Sequence, residues 1–99
     1  MEIKIQSIHF DATEKLQAFI DKKIAKLEKS YDIQKVEVVL KVVKPATALN
    51  KEVSITASVP GSGSLRVEKV CDTFEEAIDL GVDSLKVQLQ KNKEKTRDY

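Results

Sequence analysis

The sequence predicts an α+β fold: a two-layer sandwich in the order β-α-β-β-β-α, with a four-stranded mixed sheet and both helices on one of its faces. Three observations carry this reading. Four short segments alternate apolar and polar residues instead of running solidly apolar, so each strand has one covered and one wet face. Two longer segments repeat apolar residues at spacings of three and four, each forming a single stripe. Two such helices are enough to cover one face of the sheet.

The first strand rests on Ile3, Ile5 and Ser7 alternating with Glu2, Lys4 and Gln6. His9-Phe10-Asp11-Ala12-Thr13 then breaks the period. Either Asp11, with Glu14 three residues on, or Thr13 can cap the helix that follows. Its stripe is Leu16, Phe19, Ile20, Ile24 and Leu27, with Tyr31 continuing the spacing as the helix ends near Ser30. Val36, Val38 and Leu40 alternate with Glu37, Val39 and Lys41 in the second strand. Pro45-Ala46-Thr47-Ala48 interrupts as a loop, because proline has no N–H to give a ladder. The third strand places Val53, Ile55, Ala57 and Val59 on one face against Glu52, Ser54, Thr56 and Ser58. Pro60-Gly61-Ser62-Gly63 is a turn, and Leu65, Val67 and Lys69 lie on one face of the return strand. The first two strands should run parallel through a right-handed crossover, and the later strands antiparallel through hairpins.

The last third is one helix that changes sign along its length. Its stripe is Phe74, Ala77, Ile78, Gly81, Val82, Leu85 and Leu89. The early polar positions, apart from Thr73, are acidic: Asp72, Glu75, Glu76, Asp79 and Asp83. From Lys86 onward they are Lys86, Lys91, Lys93, Lys95 and Arg97, offset only by Glu94 and Asp98. Acids early and bases late complement the helix macrodipole, but that accounts for two or three charges at each end and not for five bases. At about 100° per residue, Lys86, Lys93 and Arg97 fall along one side while Lys91 and Lys95 lie well round from them. The stripe stops at Leu89 and the lysines continue, so the basic end should project past the packed body. That points to a polyanion. The first helix carries a second basic row, Lys15, Lys22, Lys26 and Lys29, with Lys23 at the border of the stripe. Glu75 and Asp79 read as ordinary solubilising acids. Two helices side by side with outward lysines would form a stripe or groove suited to a phosphate backbone.

At 99 residues the chain is one domain, spanning 1–99, with an end after about residue 95 expected to be loosely ordered. The net charge is only +1, so any attraction to phosphate comes from local patches. No apolar run approaches the roughly 20 residues needed to cross a bilayer, and the start is not that of a signal peptide. One cysteine, Cys71, rules out an internal disulfide and fits the cytoplasm; at the junction of strand and helix it reads as a small buried filler. One histidine, no Cys-x-x-Cys and no phosphate-binding glycine loop leave no metal site, no cofactor and no enzyme. Few aromatics leave no platform for stacking bases, so binding would read backbone and shape.

The chain resembles the ribosome hibernation promoting factor and ribosome-associated inhibitor family, also called the sigma-54 modulation family. The residues that carry the resemblance are Thr13-Glu14-Lys15-Leu16, then Lys23-x-x-Lys26-Leu27-Glu28, Tyr31-Asp32 and Val38-Val39-Leu40-Lys41-Val42. In the closing helix they are Glu76-Ala77-Ile78-Asp79, Asp83-x-Leu85 and Gln88-Leu89-x-Lys91-x-Lys93-Glu94-Lys95. The resemblance implies a bacterial protein of stress or stationary phase that binds the small ribosomal subunit in the mRNA and tRNA channel and blocks translation. It implies contacts to 16S rRNA from Lys22, Lys23, Lys26, Lys29, Lys86, Lys91, Lys93 and Lys95. The chain departs from it at Ser84 and Val87, where relatives often carry a base, and at Lys86, where some carry a small apolar residue. Ending at Tyr99, it resembles the short form, which is a monomer off the ribosome and in some bacteria works with a second small ribosome-dimerising protein. The alternative is a protein-binding modulator of sigma-54-dependent transcription, with the lysine rows as plain solvated faces.

Overall fold

The structure is a computed structural model that describes residues 2–8, 10–43, 50–61 and 63–97, with side chains through residue 92. Its elements are β1 (Glu2–Ile8), α1 (Glu14–Glu28), β2 (Lys35–Val42), β3 (Lys51–Val59), β4 (Gly63–Cys71) and α2 (Phe74–Arg97). The expected order is present. The four strands form one sheet in the order β1-β2-β3-β4. β1 runs parallel to β2, with Ile5 opposite Val38. β2 and β3 are antiparallel, Val38 facing Ile55, and β3 and β4 likewise, Ile55 facing Val67. The loop expected at 45–48 and His9 lie outside the described residues.

One cluster of buried residues joins the strands to both helices. Val36, Val38 and Leu40 of β2, Val53, Ile55 and Ala57 of β3, and Val67 of β4 meet Ile20, Ile24 and Leu27 of α1 and the whole stripe of α2. Both helices therefore pack on the same sheet face and touch each other. All seven α2 stripe residues are buried, Gly81 among them. Gly81 marks a close approach: a Cβ built there would lie 3.0 Å from Ile55 Cδ1. Phe10 stacks on Phe74 at 4.7 Å between ring centroids, tying the segment before α1 to the first residue of α2.

Local chemistry sets the ends. Of the two candidate caps for α1, Thr13 is the one used: its Oγ1 accepts from the Leu16 N–H at 3.1 Å. Thr73 does the same for α2, accepting from the Glu76 N–H at 3.1 Å, so Asp72 stands outside the helix. At the other end α1 stops at Glu28, with Lys29 as its C-cap, slightly short of Ser30. Gly61 and Gly63 take φ of +78° and +81°, which side chains rarely adopt, and so turn β3 into β4. Thr13→Ala is expected to lower stability by about 1 kcal/mol, whereas Asp11→Ala should stay within about 0.5 kcal/mol of the parent. Thermal melts of the two variants check this, and the reverse ranking would mean the cap is misassigned.

Three packing expectations need correction. Phe19, expected in the core, is only half-buried; it sits on the flank of α1, where Lys23 Nζ lies 5.5 Å from its ring centroid. Val59 and Leu65, near the β3–β4 turn, are likewise half-buried at the edge of the core. Ile3 and Ile5 are half-buried on β1, an edge strand with a single neighbour.

Candidate nucleic-acid interface

α1 and α2 pack side by side with a groove between them. Lys23, Lys26 and Leu27 line it from α1, Ser30 and Tyr31 from just beyond, and Asp79, Val82, Asp83 and Lys86 from α2. Leu27 and Val82 are buried and form the floor. The charged residues stand along the walls. Helical periodicity explains the arrangement: each lysine or aspartate sits one step round from a stripe residue, so burying the stripe raises its polar neighbours beside the partner helix.

The expected lysines fall into three groups. Lys23, Lys26 and Lys86 converge on the groove. Lys22 and Lys29 are exposed on α1 with Lys15, in the same row as Lys26, which belongs to both the row and the groove. Lys91 is exposed on α2 beyond Leu89, the last buried residue of the stripe. Lys93 and Lys95 continue the same helix, and their side chains lie outside the described residues.

Asp79 departs from the sequence reading. It is not a plain solubilising acid, because its Oδ1 lies 2.7 Å from Lys23 Nζ, joining the two helices across the groove. Both side chains are partly exposed, at 31% and 51%, so the pair orders the groove wall more than it stabilises the fold. Lys23 is held from two sides, by this carboxylate and by the Phe19 ring. The Phe19–Lys23 contact is an i, i+4 pair on α1, whereas the ion pair had no local signal in the sequence, since Lys23 and Asp79 come from elements far apart in the chain.

Outside the groove the described residues offer little reactive chemistry. Cys71 is buried at the end of β4. Burial pushes its thiol pKa up, the nearby Glu76 and Asp72 carboxylates push it further, and Lys69 only partly opposes them. It therefore stays protonated, which suits a packing residue and not a nucleophile. Among the described residues no group of three His, Cys, Asp or Glu is placed to hold a metal. No helix there is long and apolar enough to cross a membrane.

Comparison with known proteins gives a consistent result. The family described as "Sigma 54 modulation protein / S30EA ribosomal protein" matches residues 3–97. A "Ribosome hibernation promoting factor" of Pseudomonas putida is 33% identical over 96 residues, covering 96% of this chain and 89% of that one. The protein of the same name from Azotobacter vinelandii is also 33% identical, covering 96% and 85%. Among solved structures, the N-terminal domain of Thermus thermophilus Protein Y superposes with a TM-score of 0.79 at 28% identity, covering 92% of this chain and 98% of that one. A ribosomal subunit interface protein from Coxiella burnetii gives 0.80 at 21% identity, covering 94% and 98%, a likeness of fold.

Proposed function

The chain belongs to the Sigma 54 modulation protein / S30EA ribosomal protein family, and from that premise we propose that it is a ribosome hibernation factor. In this reading it binds the small ribosomal subunit through 16S rRNA in the mRNA and tRNA channel and silences translation in stationary phase or stress. It acts in the cytoplasm, without catalysis, and a second small ribosome-dimerising protein is its natural companion.

The observation that carries the proposal is the gathering of lysines from both helices along one groove, in a chain whose relatives are named for ribosome hibernation. With a net charge of only +1, the protein has no general affinity for polyanions to offer; a phosphate backbone must meet it on this surface. The contacts we assign are Lys22, Lys23, Lys26, Lys29, Lys86, Lys91, Lys93 and Lys95. Few aromatics are present, so recognition follows the shape and charge of folded rRNA.

Sedimentation of a stationary-phase lysate through a sucrose gradient tests this directly. The protein is expected to travel with the small subunit and the whole ribosome at low salt, and to leave them as potassium is raised. A protein that stayed at the top of the gradient at every salt concentration would overturn the proposal and favour a modulator of sigma-54-dependent transcription.

A further inference from the structure

The groove that collects lysines also contains acid, and a phosphate-binding surface has no use for that. Its walls carry Lys23, Lys26 and Lys86 but also Asp79 and Asp83. Asp79 occupies Lys23. Asp83 is exposed, and neither it nor Lys26 or Lys86 holds a hydrogen bond or ion pair among the described residues. A strand of phosphates laid in the groove would meet two free ammonium groups and one free carboxylate. The carboxylate repels phosphate, and only a partner that also supplies a hydrogen-bond donor beside its phosphates turns that repulsion into a contact.

We propose that Asp79 and Asp83 make this groove selective for RNA over DNA. Phosphates of one strand meet Lys26 and Lys86 while a ribose 2′-hydroxyl of that strand donates to the Asp83 carboxylate. Of the groups on a nucleic-acid backbone, the 2′-hydroxyl is the donor that RNA has and DNA lacks. Asp79 acts on the same balance from the other end of the groove. By pairing with Lys23 against the Phe19 face, it withholds one cation from any polyanion that cannot displace it. A DNA strand encounters the acids as a penalty. An RNA strand of the right path encounters one of them as an acceptor.

The inference rests on the RNA-binding reading above, and the test separates the two. Binding of the parent protein, Asp83→Ala, and the double variant Asp79→Ala/Asp83→Ala is measured for three probes at about 0.1 M salt. The probes are a DNA hairpin, an RNA hairpin of the same sequence, and purified small subunits. The double variant is expected to bind DNA about tenfold more tightly, as two screened carboxylates leave the groove. RNA should gain much less, because an accepted hydrogen bond is lost with the charge, and the preference for RNA over DNA should shrink about fivefold or more. Asp83→Ala alone should show part of the same loss of preference; since Asp83 has no partner in the described fold, thermal melts should match the parent. Equal gains on DNA and RNA would overturn the inference, as would no change on either. Failure of the parent to bind small subunits would instead overturn the ribosomal reading, whatever the hairpins show.

Discussion

Glutamine at Lys91, Lys93 and Lys95 together is expected to cut affinity for the small subunit on the order of a hundredfold at 0.1 M salt. Each lysine that meets a phosphate releases condensed counterions, and each contributes about 0.7 to 0.9 to the slope of log affinity against log salt. Losing three should flatten that slope by about 2 to 3 units. Stability should not change, because all three positions follow Leu89, the last buried residue of the α2 stripe, and Lys91 is exposed. Glutamine also keeps the helix propensity of lysine. Filter binding to purified small subunits at several potassium concentrations reads both quantities. Neutralising Glu75 and Glu76, exposed in the first turn of α2, should raise affinity or leave it alone. A triple variant with the parent's affinity and slope would remove the basic end of α2 from the contact.

Leu85→Ala should cost about 2–5 kcal/mol and lower the melting temperature by at least about 8 °C. Leu85 is fully buried and belongs to the core cluster that joins α2 to β3 and β4. Its neighbours cannot easily close the hole, because Gly81 already brings the helix close to Ile55 one turn earlier. The cavity term therefore adds to the lost transfer energy. A variant melting within a degree of the parent would mean that the stripe does not face the sheet.

Periodicity made the α2 stripe legible to the last residue, and the two inner strands, β2 and β3, nearly so, because burial follows the backbone repeat when another layer lies directly overhead. Phe19 shows where that reasoning stops. Its spacing places it on the correct side of α1, but spacing gives direction and not coverage, and Phe19 packs at the edge of the core with Lys23 over its ring. Thr13 and Asp11 were equivalent candidates by residue type, and only the path of the chain into α1 decides between them. The gathering of lysines along two packed helices could be expected from their rows. The place of Asp79 among them could not, since an acid on a solvated helix face and an acid paired across a groove have the same local sequence.

Gly81 has a mechanical consequence. It is the seat on which α2 rests, with Ile55 immediately beneath and no slack between them. Val82, Leu85 and Leu89 keep the helix pinned for two further turns, and that pinned stretch ends about 9 Å short of residue 95 at 1.5 Å per residue. A tilt forced at Gly81 has to lift those three side chains out of the layer: over the roughly 12 Å to Leu89, a tilt of about 5° already moves that residue by about 1 Å. A single added methyl group under the helix would thus be felt in the hydrophobic layer first, and the basic end would move only as far as that layer yields.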